Sequence, residues 1–323
     1  MRDISEITSS LIPTLEGLEE GRLLYRRRQK TYLLILFIPL IALFAGSFLI
    51  EARIAGFIAT GIWFVVGIIL YQVRAASLGK TYVTDYKKAV IPGLLQSIDK
   101  SLNYDPGAGI SPGAFQDTEL FTTSPDRYKT EDLIHGTYGK TFLQLAEINA
   151  EERRTRTDSD GKTKTYYVTI FKGLMLIADF HKDFHGRTFV FPDKAEKTFG
   201  NVGRFFQKMG GRRETSLIRL EDPGFEEAFA VYSTDEVEAR YILSTAMLRR
   251  ILDLRDRFGK EVRLGFKDSC LTLAVPHNES YLEPNTARPA TDTSQIGGML
   301  FELKYFLETI EELDLNTRIW SKK

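Results

Sequence analysis

One cysteine in 323 residues, Cys270, leaves this chain unable to form an internal disulfide and suits a reducing compartment. Charge of one sign is also lacking. Lys and Arg number 43 against 43 Asp and Glu, so no global basic field draws nucleic acid, and no nucleic-acid partner is expected. No repeat of fixed period and no low-complexity tail is present. A phosphate-binding Gly-Lys-Ser/Thr loop is missing. Gly107 and Gly109 lack the preceding strand and following helix that a dinucleotide fingerprint needs. Cys270 follows Asp268 and Ser269 in a turn, with no base nearby to make a thiolate. No cofactor and no catalytic constellation is therefore expected.

Two long apolar runs, 31–50 and 54–73, are present, separated only by Glu51, Ala52 and Arg53. Neither run holds an acid, Lys, Arg or His. Each is about 20 residues long, which at about 1.5 Å per residue spans the hydrocarbon core of a bilayer. A helix apolar on every face for that distance predicts a transmembrane hairpin, with the lipid bilayer as an integral partner. Arg22, Arg26, Arg27, Arg28 and Lys30 precede the first run; Arg74, Lys80, Lys87 and Lys88 follow the second. That bias predicts a multi-pass protein of the cytoplasmic (inner) membrane with both termini cytoplasmic. A signal peptide fits poorly, because the run is too long and a second follows at once. The Trp63 indole, inside the second run, needs a partner helix or water. Ala42 with Gly46, and Gly56 with Thr60, give small-residue spacings that suit close helix packing within the hairpin.

The remainder divides into an N-terminal arm, 1–30, a membrane-proximal helix and loop, 75–110, and a domain, 111–323. In the arm, Ile7, Leu11, Leu15 and Leu18 recur at helical spacing over 3–29 despite Pro13 and Gly17. That face either lies on the bilayer or packs as a partner helix, and packing is favoured. Tyr82, Tyr86, Val90, Leu94, Ile98 and Leu102 form an i, i+4 stripe, which Pro92 should kink or restart. Residues 105–113 read as a loop. Runs 141–148 and 166–180 read as strands joined by a polar stretch whose Asp160-Gly161 pair suits a tight turn. Further strands are expected at 187–191, 217–220 and 228–232, and a helix at 195–209. Ser244 is a fitting N-cap for a helix that Gly259 closes. Residues 262–266 and 271–275 alternate as a hairpin with one buried face. A Pro-rich loop, 281–293, precedes a final helix, 294–315. Strands and helices without regular βαβ alternation predict an α+β fold, with a mainly antiparallel sheet and flanking helices.

Few residues suggest chemistry. His181 and His185 have the spacing of metal ligands on a helix. Gly186 points instead to a turn, where that spacing no longer puts both rings on one face, and a third ligand is missing. Arg153, Arg154, Arg156, Lys162 and Lys164 cluster at the 151–164 hairpin, balanced by Glu151, Glu152, Asp158 and Asp160. Arg212 and Arg213 follow Gly210-Gly211 in a basic loop. These seven basic residues are the candidates for partner or headgroup contact. Loops and strand tips carry recognition more often than packed elements, so 151–164 and 281–293 are the expected contact surfaces.

Residues 171–193 (FKGLMLIADFHKDFHGRTFVFPD) and 220–252 (LEDPGFEEAFAVYSTDEVEARYILSTAMLRRIL), with the two apolar runs before them, resemble a bacterial family known only as domain of unknown function 3137. The resemblance covers most of the chain. It implies a membrane-anchored bacterial protein with a cytoplasmic α+β domain and no assigned activity. It transfers no functional residue. The expectation is a non-enzymatic membrane protein whose cytoplasmic domain binds a protein partner or scaffolds a complex. The alternatives are a lipid- or small-ligand-binding domain at the cytoplasmic leaflet and a metal-dependent hydrolase built on His181 and His185.

Overall fold

The computed structural model describes residues 4–48, 53–179, 184–193, 215–259, 261–278 and 280–312. The helix expected at 195–209, and Glu51 and Ala52 of the turn between the apolar runs, lie outside the described residues. The chain forms two compact units, Met1–Ser97 with Leu282–Met299 and Ile98–Tyr281 with Leu300–Lys323.

In the first unit the arm and the first apolar run are one helix. This α1, Ile4–Gly46, continues through Pro13 and Pro39. Helix α2 (Arg53–Leu70) passes through a π-helical turn, Tyr71–Ala75, into α3, Ala76–Ile98. Two helical stretches, Leu11–Gly46 and Arg53–Val73, are long and apolar enough to cross a membrane. Their apolar side chains face outward: Ile38, Ile41 and Ile54 are 61%, 66% and 78% exposed, where a soluble core helix would bury them. The hairpin packs closely at Gly67, outside the expected small-residue pairs, while Gly46 has open space beside it. A Cβ at Gly67 would fall 2.0 Å from the Leu36 Cδ1, so a bare glycine is what admits Leu36. The Trp63 indole donates to the Leu36 carbonyl at 3.1 Å, the partner-helix contact its position called for. Phe44, Phe48 and Phe57 add edge-on and tilted ring contacts at 5.3–6.0 Å.

Helix α3 buries Tyr82, Tyr86, Val90 and Leu94 as its stripe predicts, and Pro92 sits inside it without ending it. Leu102 departs from the stripe: it begins a strand. At Gly93 a side chain would crowd Leu11 of α1, which is buried together with Leu15.

The second unit is α+β. Nine strands pair antiparallel throughout: β1 (Leu102–Asp105), β2 (Arg127–Tyr138), β3 (Thr141–Thr157), β4 (Thr163–Asp179), β5 (Arg187–Pro192), β6 (Ser216–Ile218), β7 (Phe229–Ser233), β8 (Arg263–Lys267) and β9 (Cys270–Pro276). Their spatial order is β1-β2-β3-β4-β9-β8-β5-β7-β6. Two expectations are corrected here. Residues 105–113 are not all loop, because Asp105 ends β1 and Pro112 begins the short helix α4, Pro112–Asp117. The Ser111 hydroxyl caps α4 by accepting from the Ala114 N–H at 3.1 Å.

The second correction concerns the 262–275 hairpin, which is buried on both faces. One face carries Leu264, Phe266, Leu271, Leu273 and Val275; the other carries Gly265, Thr272 and Ala274, which are buried too. The small residues that read as an outward face are seats for large ones. A Cβ at Gly265 would stand 3.1 Å from Leu120 and 3.4 Å from Phe189. Ile110, Phe115 and Leu120 pack on this face with Ala146, Ile148, Met175, Phe189, Phe191, Tyr232 and Ala274. Glu119 fastens the segment to the sheet through Arg187 at 2.9 Å and Lys267 at 3.2 Å.

Three capped helices connect the later strands. Asp222, Asp235 and Ser244 accept from the backbone at the starts of α5 (Pro223–Ala228), α6 (Glu236–Ile242) and α7 (Thr245–Phe258), and Gly259 at φ +100° closes α7. The last helix, α8 (Thr293–Glu312), meets α7 where the Phe306 and Phe258 rings lie 4.6 Å apart.

Candidate functional site

The polar stretch between the two long strands is itself strand. Strands β3 and β4 pair from Leu143↔Ala178 to Thr157↔Thr163. Their outer neighbours stop early: β2 last pairs at Arg127↔Glu151, and β9 at Gly173↔Pro276. Beyond those points 151–157 and 163–169 form a two-stranded ribbon. A bulge marks its root, since Ala150 pairs Phe171 but Glu151 pairs Thr169, which leaves Ile170 unpaired. The turn is held by Asp158. Its carboxylate accepts from the N–H groups of Asp160 at 3.2 Å and Lys162 at 2.9 Å, and Gly161 supplies a φ of +75°.

Four of the five hairpin candidates stand on this ribbon, on its two faces, and Lys162 is in its turn. Arg153 is opposite Tyr167, and the Arg127 guanidinium lies 3.3 Å from the Tyr167 ring centre while pairing Glu151 at 3.8 Å. On the other face, Arg154 pairs Glu152 at 2.9 Å, and Lys164, opposite Arg156, reaches Asp158 at 3.9 Å. Among the described residues, Arg153, Arg156 and Lys162 have no ion-pair partner. The acids opposing the cluster are thus largely engaged, and the cations that remain face solvent.

A second arrangement was not legible at first reading. At the β2 bulge between Glu131 and Ile134, Asp132 adopts φ +61° and is buried. Oxygens of Glu131, Asp132 and Glu147 lie within 4.8 Å of one another. The Tyr104 hydroxyl donates to Asp132 at 2.5 Å, and the Tyr281 N–H to Glu147 at 3.4 Å. Burial first, and the Asp132 carboxylate second, push the Tyr104 hydroxyl far above its ordinary pKa, so it stays a donor. Three carboxylates are the donor set of hard divalent cations, although acids also cluster without one. The signal available in the sequence was Glu147, an inward acid inside an apolar run.

The other candidates do not converge. His185 is exposed, and its backbone N–H and that of Gly186 donate to the Glu238 carboxylate at 2.8 and 2.6 Å. His181, Arg212 and Arg213 lie outside the described residues. Cys270 is half-buried at the start of β9, after the Asp268-Ser269 turn at φ +52° and +57°.

In the first unit, backbone of the 281–293 loop is held by α1. Arg22 and Arg26 donate to the carbonyls of Thr286 at 3.2 Å and Ala287 at 2.7 Å, and Glu19 accepts from the Ala290 N–H at 2.6 Å. Arg22 is buried beside Glu19, and buried Lys87 lies 3.9 Å from Glu283.

Residues 169–315 match the family described as "Protein of unknown function (DUF3137)". No curated protein matches the chain. Among solved structures it is similar to the mycobacterial trehalose monomycolate transport factor A, TtfA, with 10% identity and a TM-score of 0.32, over 70% of this chain and 93% of that one.

Proposed function

We propose, for a chain whose residues 169–315 carry the DUF3137 domain, that it is a membrane-anchored, non-enzymatic protein whose soluble unit captures a protein partner through the β3–β4 ribbon. One observation carries this reading: 151–157 and 163–169 extend past every neighbouring strand and remain exposed on both faces. A sheet with nothing to gain from the extension would end at the bulge. The apolar hairpin fixes the protein at the inner membrane. The basic residues flanking it, counted with Arg22 and Lys87 even though these also serve the packing, favour both termini and the ribbon on the cytoplasmic side.

The test removes 155–163 from the full chain, joining Arg154 to Lys164. Crosslinking in cells, followed by purification in mild detergent, should yield a partner with the intact chain and not with the shortened one. The thermal midpoint of the purified protein should move by no more than about 2 °C, because exposed residues away from packed features contribute little to stability. Retained capture, or a collapse of the midpoint, removes the assignment. Sidedness is tested separately, on a Cys270→Ser background carrying Asp160→Cys or Glu51→Cys. A membrane-impermeant maleimide should label position 51 in intact spheroplasts and position 160 only after permeabilisation.

A further inference from the structure

The ribbon has two edges, and they are not equivalent. The Asp126 N–H donates to the Glu151 carbonyl at 2.9 Å, so the backbone groups of odd-numbered β3 residues point toward β2. Even-numbered residues therefore face β4, and the pairs Glu152↔Val168, Arg154↔Tyr166 and Arg156↔Lys164 exchange bonds. On the outer edge of β4 this leaves the N–H and C=O groups of Thr165, Tyr167 and Thr169 pointing away from the ribbon. The outer edge of β3 is obstructed instead, because the Asp126 carboxylate accepts from the Arg153 N–H at 2.7 Å.

Beyond Lys164 the β4 edge has no charged or proline guard before the bulge. Residues 165–170 read TYYVTI, with no charge, proline or glycine, in aromatic and β-branched types that favour strand pairing. Only the bulge at Ile170 ends the edge, where pairing with β9 takes over. Its neighbourhood is cationic. Glu151 is held by Arg127, Glu152 by Arg154 and Asp158 by Lys164 and the turn, so Arg153, Arg156 and Lys162, set against the exposed Asp160, leave a small cationic excess among the described residues.

We propose that the β4 edge, Thr163 to Thr169, receives an extended acidic segment of a partner protein by antiparallel strand addition. This rests on the ribbon being the contact surface and specifies what the partner offers there. Backbone groups of Thr165, Tyr167 and Thr169 supply the hydrogen bonds. Acidic side chains on the partner strand meet Arg153 and Arg127 on one face, and apolar ones lie against Tyr166 and Val168 on the other. A second copy of this chain is the less suitable occupant. Two-fold pairing about Tyr167 would bring the Arg127 guanidinium over that ring toward its own copy, like charge against like.

The experiment titrates the full-length protein in detergent against fluorescein-labelled seven-residue peptides, read by anisotropy. One peptide alternates Glu with Val, a second alternates Lys with Val, and a third is the Glu/Val peptide N-methylated at alternate positions. Saturable binding of the Glu/Val peptide is expected, with the Lys/Val peptide weaker by about tenfold or more and the N-methylated one not bound. The double variant Arg127→Glu, Arg153→Glu should reverse the preference between the charged peptides, a gain that misfolding cannot imitate. Equal affinity for the two charged peptides, indifference to N-methylation, or no binding of the Glu/Val peptide overturns the proposal. So does a concentration-dependent dimer abolished by Tyr167→Pro, which would assign the edge to a second copy. If cellular capture depends on 155–163 while no peptide binds, strand addition fails and the ribbon reading stands. Capture that survives the deletion removes both.

Discussion

Strands β3 and β4 run side by side for their whole length, yet their two halves live in different surroundings. Over 141–150 and 171–179 they lie between β2 and β9, and Leu143, Ala146, Ile148, Met175, Leu176 and Ala178 are almost wholly buried. Over 152–157 and 163–169 the same two strands pair with no outer strand, and Tyr166 is 46% exposed. Backbone pairing is continuous through both halves; what changes is the company on either side. The inner half is held by packing, while the outer half is held by its own ladder, a two-residue ring contact and a turn. Isolated two-stranded ribbons are marginal in water, so the outer half depends on the inner one for its shape and contributes little in return.

Substitutions can sharpen that contrast. The largest effect is expected at Gly173, in the inner half at φ +151°, where a Cβ would come within 2.1 Å of the Val275 carbonyl oxygen. Gly173→Ala must part β4 from β9, and should cost about 3 kcal/mol or more in denaturant unfolding. Its counterpart Gly161→Ala, at φ +75° with open space around it, should cost about 1 kcal/mol from backbone strain alone. Next in size, Leu176→Ala should cost about 3 kcal/mol as an unfilled cavity, against about 0.5 kcal/mol or less for Tyr166→Ala. Comparable losses at Leu176 and Tyr166 would mean that the ribbon is packed after all.

The smallest effect is a pH effect in the packed body. Burial raises the Glu302 carboxyl above its ordinary value of 4.5, with His277 opposing. The folded state therefore holds that proton more tightly than the unfolded one. Stability falls as pH rises from 4.5 through the raised value and then stays lower. Glu302→Gln should lift the thermal midpoint by about 1 °C at pH 7, a figure discounted for partial exposure, and by nothing at a pH below both values. A uniform gain at every pH would point to a cause other than ionisation.

Much of the packed part was legible because its signals are local. The Ser244 cap, the Met247, Ile251 and Leu254 stripe and Gly259 define α7 as read, and the 267–270 turn of the last hairpin lies where expected. The ribbon was read as a polar hairpin tip between two shorter strands, because Arg, Lys, Glu and Thr in succession look like a solvated turn. Its strand character comes from cross-strand pairing, which no single segment displays. Strand β2, RYKTEDLIHGTY, was not read as a strand, because its bulge breaks the alternation. The carboxylate cluster escaped for a related reason: Glu147 meets Glu131 and Asp132 only once β2 and β3 are in register. The two outward helices were the plainest signal of all, since no pairing is needed to see twenty apolar residues.

Helix α1 has a mechanical consequence. From Arg22 to Ile38 it contains neither glycine nor proline, so the stretch that carries the loop-holding arginines is a straight continuation of the apolar one. Those 17 residues span about 24 Å. A 10° tilt of the apolar end therefore sweeps Arg22 sideways by about 4 Å, and with it the backbone of Thr286 and Ala287 that Arg22 and Arg26 grip. Any tilt of the apolar stretch, a span by length and composition, is thereby carried to a loop more than 200 residues along the chain, so α1 has the geometry of a lever.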